Sequence, residues 1–477
     1  MIGHEDWQED LFIPGNWAAL IPDDHILKQV DRVLDFSWLA ADVRDCYCSD
    51  GGRPSIPPEV ALRLMIAGFF QQIVKDRQLM REAQVNLAIR WFARLRLDQA
   101  MPDHSSLTRI RQRWGAERFK RIFTHSVQCC LDAGLVSGEV IHVDGTLVRA
   151  DVSWSSVVVQ YAEQTLAENV DEGASSASPV LSQAGQPKKR STTDPDASLA
   201  TARKGQPMEP CFKQFTAVDS QAGIIVDVAV ATGEADEGAQ VFTQLERVAE
   251  VTGIAPTTLT ADSRLGIASV YTGCEERQIT AIIPPQRLTR RKHERIPACH
   301  FRYDPVHRVV TCPGRHCLYP SARNDRGWVY QGVPPICQAC PLRAHCIAPS
   351  ARVRVIVIVD GFAALLRARR EKARGWDATT RACQRRHRGL VEGVHGEAKC
   401  QHGFRRALRR GLANFAMQSY LTATVINIKR LARGLFGQIA GDWRAKHRLL
   451  MRCGVINTVV VRKYTVVTTL PAIAMAA

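Results

Sequence analysis

Near Gly138 the hydrophobic period of this chain changes, and no single secondary-structure class accommodates both sides of the change. Before it, apolar residues recur every three or four positions, as on a helix with one buried face. In PPEVALRLMIAGFFQQIV, Pro57 and Pro58 stand in the first turn, where a helix tolerates proline. DRQLMREAQVNLAIRWFARL continues the helical spacing. Asp103-His104-Ser105-Ser106 then offers capping side chains to LTRIRQRWGAERFKRIFTHSVQCCLDAGL. Residues 1–135 are therefore expected to form an all-helical N-terminal domain. Arg109, Arg111 and Arg113 on its last helix leave two readings open, a DNA-binding helix or a bundle with a charged exterior.

After Gly138 the period becomes that of strands. In EVIHVDGTLVRA, His142, Asp144 and Thr146 fall on one face and Ile141 and Val143 on the other. A stretch rich in Ser, Ala, Gly, Gln and Pro, about 170–210, reads as a mobile loop. FKQFTAVD and GIIVDVAVAT read as a hairpin, followed by helix, strand (TTLTAD), helix and strand (ITAIIPP). Strands in succession, then alternation with helices, indicate a mixed α/β sheet with flanking helices, its first half at 136–284. A Cys-, Arg- and Pro-rich insert follows at 285–350. Residues 351–440, mostly helical after the strand-like VRVIVIV, are expected to complete the sheet domain, with a C-terminal tail at 441–477.

The charge is uneven. The chain carries a formal +16, and residues 381–450 hold 15 Lys/Arg against 3 Asp/Glu. A block of that sign suits a polyanion, because phosphates gain Coulomb energy and release counterions on binding. The N-terminus, MIGHEDWQEDLF, is acidic and lacks the apolar centre of an export signal, and Arg462 and Lys463 interrupt the apolar C-terminal stretch. A cytoplasmic protein is expected. In that reducing setting its 15 cysteines serve as thiols or metal ligands rather than disulfides.

Two constellations carry chemistry. Asp144 and Asp262 each end a strand-like run, where a carboxylate can reach a cleft. In RRHRGLVEGVHGEAKCQHGF, Arg388, Glu392 and Lys399 fall within about 40° of one another on an ideal helix. Such a stripe suits metal and phosphate binding; an Arg388–Glu392 surface pair is the bland alternative. Gly389, Gly393 and Gly396 weaken a purely decorative helix and leave room for a DNA backbone. The second constellation is Cys312, Cys337, Cys340 and Cys346, with Cys317, His316 and His345 as spares. Its Cys-x2-Cys step suits tetrahedral structural Zn²⁺ in an insert poor in apolar residues, against free thiols or a disulfide. No Walker-type loop is present.

These stretches together resemble bacterial insertion-sequence transposases of the DDE class with an InsH-like N-terminal domain. GGRPSIPPEVALRLM and MPDHSSLTRIRQR resemble that N-terminal domain. HVDGT, STTDPDASLATARKG, FTAVDSQAGIIVDVAV and LTADS resemble the first half of the catalytic domain, and CQACPLRAHC and GLVEGVHGEAKCQHGFRRALRRGL the second. The resemblance spans about residues 20–435. The family signature Tyr-x2-Arg-x3-Glu-x6-Lys is matched by Arg388, Glu392 and Lys399, with Arg385 at the Tyr position. Ser263-Arg264-Leu265 follow Asp262, where the family often has Gly and an aromatic.

The resemblance implies a ribonuclease H-like fold and a trio, Asp144, Asp262 and Glu392, holding Mg²⁺ or Mn²⁺. It implies cleavage of double-stranded DNA at element ends and joining to target DNA. Arg385, Arg388, Lys399, Arg405 and Arg406 would contact that DNA, and a homodimer would synapse two ends. Asp219 and Asp227 lie within the hairpin and read as structural. The other readings are a non-catalytic DNA-binding zinc protein, a nuclease without strand transfer, and an inactive transposase relic.

Overall fold

The computed structural model describes residues 16–48, 55–152, 157–158, 190–201, 205, 207–286 and 296–452, with side chains to 435. Its centre is a five-stranded sheet: β1 (Val140–Arg149), β2 (Glu209–Asp219), β3 (Ile225–Thr232), β4 (Thr258–Thr260) and β5 (Thr280–Ile282). β1 pairs antiparallel with β2 and parallel with β4; β2 pairs antiparallel with β3, and β4 parallel with β5. The resulting order, β3-β2-β1-β4-β5, with the first three strands antiparallel and the last two parallel to the first, is that of the ribonuclease H-like fold. The hairpin between β2 and β3 is secured by Asp219, fully buried, which accepts from the Gly138 and Gln221 amides at 2.8 and 2.7 Å. Asp227 on β3 receives a two-pronged bond from Arg247. Both aspartates are structural, as their sequence context suggested.

The N-terminal helices follow the helical period: α1 (Ile26–Asp31), α2 (Pro58–Phe70), α3 (Asp76–Val85), α4 (Leu87–Phe92) and α5 (His104–Asp132). Asn86 separates α3 from α4 by capping the amides of Ala88 and Ile89. Asp103 caps α5 through the Ser105 amide at 2.8 Å, and Gly115, with φ +68°, kinks it. These helices do not form a detached unit. One continuous core runs from Ile21 through the sheet to Leu431. Its central post is the long C-terminal helix, which packs on α5 and β3. That helix occupies Leu412–Arg452, so the tail expected from 441 begins as its continuation; residues 453–477 lie outside the described residues. It is buried all round from Phe415 to Ile428, and Ser419, Thr422 and Thr424 return their hydroxyls to carbonyls one turn back. Asn427 clamps Ile225 at both its amide and its carbonyl.

Helices α6 (Glu237–Thr252) and α7 (Ala268–Glu276) alternate with β4 and β5 as the sequence indicates. Three expectations are corrected. Much of the expected loop at 170–210 lies outside the described residues, but its later part is not a loop: 190–191 and 198–200 form short strands that extend the sheet beyond β2. The insert has a sheet of its own, β6 (Arg302–Asp304), β7 (Val309–Thr311), β8 (Cys317–Asn324), β9 (Gly327–Gln331) and β10 (Val355–Val359). β10, expected in the second half of the catalytic domain, is the edge strand of that insert sheet. The insert is also less polar than expected, since Phe301, Val310, Leu318, Tyr330, Ile356 and Ile358 give it a small core.

After the insert come α8 (Phe362–Arg374), α9 (Ala378–His387), a π-helical turn over Arg388–Glu392, and α10 (Gly393–Gln401). Among the described residues no helix is long and apolar enough to cross a membrane.

Candidate active site

The strand register brings the first two carboxylates together. His142 on β1 lies opposite Thr260 on β4 in the parallel pair, so Asp144 and Asp262, each two residues further on, emerge side by side. Asp144 lies within β1 rather than at its end, opposite Thr216 of β2; the expected Val-Asp-Gly-Thr turn is continuous strand. Asp262 does leave the sheet. Its carboxylate accepts the Arg264 amide at 2.8 Å, the local bond that shapes this exit.

The polar face of β1 lies beneath the segment 387–399. His387 and His142 stack obliquely with ring centroids 5.6 Å apart, both bonded to the Thr260 hydroxyl. His395 reaches Asp144 at 3.4 Å through Nδ1 and the Thr216 hydroxyl at 3.1 Å through Nε2. Lys399 donates to the Thr146 hydroxyl at 2.6 Å. The three-residue polar face of β1 was legible from its alternation. The partners His387 and His395 were missed: they are ordinary histidines in sequence, and only the docking of this segment onto β1 reveals them.

The π-helical turn alters the expected stripe. It inserts extra backbone between His387 and Gly393, so Arg388, Glu392 and Lys399 no longer share one α-helical line. Arg388 and Glu392 form an exposed pair at 3.3 Å, whereas Lys399 is turned inward to β1. Gly389, Gly393 and Gly396 all face open space.

Asp144, Asp262 and Glu392 line one cleft of about 990 Å³, with Arg264, Arg385, His387 and Arg388. Burial works to raise the Asp144 carboxyl, but the His395 bond and the Gly145 amide outweigh it and hold it low. Asp262 is pushed up, first by burial and then by the charges of Asp144 and Glu237, against the Arg264 amide. Glu237, at the start of α6 and packed against Gly145, is thus a nearby acid that sequence reasoning did not single out. His387 is lowered by burial, opposed by the charges of Asp144, Asp262 and Glu392. The cleft therefore combines oxygen donors of both titration tendencies with a rim of guanidinium groups.

Of the other candidate DNA contacts, Arg405 and Arg406 are exposed; Arg406 also pairs with Asp151 at 3.1 Å. Arg111, thought to decorate α5, is instead buried and held by both oxygens of Asp76. Arg109 and Arg113 are exposed, the latter over the Tyr47 ring.

Cys312, Cys337, Cys340 and Cys346 line one small cavity of about 30 Å³, with Cys317 and His316 at its wall. The His316 amide donates to the Cys312 sulfur at 3.4 Å, and Cys346 is raised by burial and by the three neighbouring thiols, against Arg354. Among the described residues no three His, Cys, Asp or Glu side chains stand at the mutual spacing of a finished metal site. At both places donors of suitable chemistry share a cavity without being closed around a point.

The ribonuclease H-like sheet thus sets carboxylates from β1 and the exit of β4 side by side, beside a basic rim. Family models sharpen this. A transposase domain (DUF772) matches residues 15–113, and a transposase DDE domain matches residues 311–432. These two matches are consistent with an insertion-sequence DDE transposase, in agreement with the resemblance drawn from the sequence. No protein of curated function matches it. The cryo-EM structure of a piggyBac transposase synaptic complex with hairpin DNA aligns at 12% identity over 89% of this chain and 79% of that one, with a TM-score of 0.31. The crystal structure of the Mos1 strand transfer complex aligns at 13% identity over 75% and 82%, with a TM-score of 0.17. At such scores the fold assignment rests on strand order alone.

Proposed function

We propose that this protein cuts double-stranded DNA at the ends of an insertion element and joins those ends to target DNA, using Asp144, Asp262 and Glu392. The observation that carries the proposal is the convergence of these three carboxylates, from β1, the exit of β4 and the π-helical turn, on one cleft rimmed by arginines. Hard oxygen donors of this kind fit Mg²⁺ or Mn²⁺. When bound, such ions activate the attacking water or 3′-hydroxyl and stabilise the leaving oxygen.

The chain's own residues do the rest. His395 fixes the Asp144 carboxylate through one ring nitrogen while the other is bonded to Thr216 of β2. Arg385 and Arg388, both exposed at its rim, offer planar donors to phosphates on either side of the cut. Glu392 is free to exchange its exposed contact with Arg388 for the cleft once phosphate engages that arginine. Arg405 and Arg406 extend the basic track along the duplex. Lys399 works differently: its bond to Thr146 braces β1 beside Asp144.

The test is incubation of the purified protein with DNA carrying the element's terminal repeats, with Mg²⁺, Mn²⁺ or EDTA. Metal-dependent cleavage and strand-transfer products support the proposal. Binding without cleavage would favour a DNA-binding protein or relic, and cleavage without joining a nuclease.

We further propose that Cys312, Cys337, Cys340 and Cys346 hold a structural zinc ion. Their shared cavity and the amide-to-sulfur bond at Cys312 support it. One zinc per chain in freshly purified protein is the expected result; none would overturn it.

A further inference from the structure

The insert sheet ends in a strand edge that is not defended. β10 reads Val355-Ile356-Val357-Ile358-Val359 and, among the described residues, pairs only with β9. Ile356 and Ile358 are buried in the insert core, while Val355, Val357 and Val359 are 43, 39 and 38% exposed. The strand has no lysine, proline or bulge, the devices by which soluble sheets protect an edge.

The hydrogen-bonding sense of that edge follows from one bond. The Gly332 amide donates to the Arg354 carbonyl at 3.0 Å, and these two residues are directly opposed in the β9–β10 register. In an antiparallel ladder bonded and unbonded pairs alternate. Residues 354, 356 and 358 therefore turn their backbone groups toward β9. Val355, Val357 and Val359 turn theirs outward, and among the described residues nothing receives them.

We infer that β10 is an interface between two copies of this chain, joined as an antiparallel sheet extension with its two-fold axis at Val357. This register opposes Val355 to Val359 and Val357 to itself. Each opposed pair can exchange two bonds, about six in all, and the six valines form one apolar stripe. The flanking charges favour this orientation, although within its own chain Asp360 already pairs with Arg323 and Arg354 donates to the Cys346 and Ile296 carbonyls. Arg352 and Arg354 precede the strand and Asp360 follows it. Antiparallel pairing sets the basic end of each copy against the acidic end of the other, whereas parallel pairing would oppose like charges. A second copy thus fits the edge in backbone sense, apolar surface and charge, independently of whether the cleft is active.

The test is sedimentation of the full chain without DNA, comparing wild type with Val357→Pro. The Val357 amide points away from β9, so proline there breaks no bond within the chain. Wild type should dimerise, and the variant should dimerise at least tenfold more weakly, with an unchanged melting temperature at concentrations low enough for both to be monomeric. Val357→Cys provides a second readout that does not depend on the proline variant. A short bis-maleimide should link position 357 to itself, as located by peptide mass spectrometry. A monomeric wild type, an unchanged dimer in Val357→Pro, or no 357–357 link would each overturn the inference. A monomer is also the result expected if the chain's own C-terminal residues cover the edge.

Discussion

Asp144 and His142 sit two residues apart on one face of β1, yet their surroundings drive them in opposite ways. Asp144 is bonded by His395 and stays charged, whereas His142 is fully buried and its pKa is pushed down to about 4, first by burial and then by His387. A depressed folded-state value stabilises the fold above the ordinary histidine value of 6.5 and loses that contribution as pH falls toward 4. The protein should therefore weaken across that window, by up to roughly 3 kcal/mol from His142. His142→Asn should flatten the pH dependence of the melting temperature there; an unchanged slope would refute the assignment. The arginines divide similarly. Arg385→Ala and Arg388→Ala should each weaken DNA binding and reduce the slope of log affinity against log salt by about 1. Arg409 belongs to the same basic block, but it is tied to Asp76 at 2.6 Å. Arg409→Ala should act on stability instead, which melting curves read directly. Sequence could not separate these arginines, because charge pattern says nothing of which guanidinium finds a buried carboxylate.

The π-helical turn is the element on which the third carboxylate depends. The spacing of Arg388, Glu392 and Lys399 singled these residues out but placed them on an ideal α-helix. Arg388 and Glu392 face the cleft, while Lys399 faces β1. One extra residue in a turn leaves no mark in a segment whose buried positions include histidines as well as valines. Deleting Gly389 should convert the turn to regular helix and rotate Glu392 away from the cleft. Cleavage should fall by about a hundredfold or more with DNA affinity retained. Retained cleavage in that deletion would show that the turn is not needed. The segment's far end is fixed separately: Glu397, with its pKa held down to about 2 against the pull of burial by His402, Lys429 and Arg430, anchors α10 to the long C-terminal helix. β1, the hairpin and the alternating helices were legible because each presents a clean period over several turns or residues. β10 has the same clarity as a strand, but period alone does not say which sheet it joins.

Across the whole molecule, the N-terminal helices and the central sheet are one body. The sequence boundary at about 135 marks a change of secondary structure, not a break in the core. Asp76 on α3 is a single buried carboxylate that receives Arg111 from α5 and Arg409 from beyond α10, so it ties the N-terminal helices to the DDE segment. Asp76→Ala would strand two cations and should cost about 3–5 kcal/mol in one cooperative unfolding transition. Two separate transitions, with only the first shifted, would contradict a shared core. Such ties are invisible in sequence, since nothing local marks Arg111, 35 residues on, or Arg409, 333 residues on, as partners of Asp76.

The central claim is that Asp144, Asp262 and Glu392 act as one site. Its most direct test is single-turnover cleavage of end-bearing DNA by Asp144→Asn, Asp262→Asn and Glu392→Gln, with DNA binding measured in parallel. Each variant should bind DNA about as well as wild type and show no detectable cleavage. Cleavage at the wild-type rate by any one of them would remove that residue from the site.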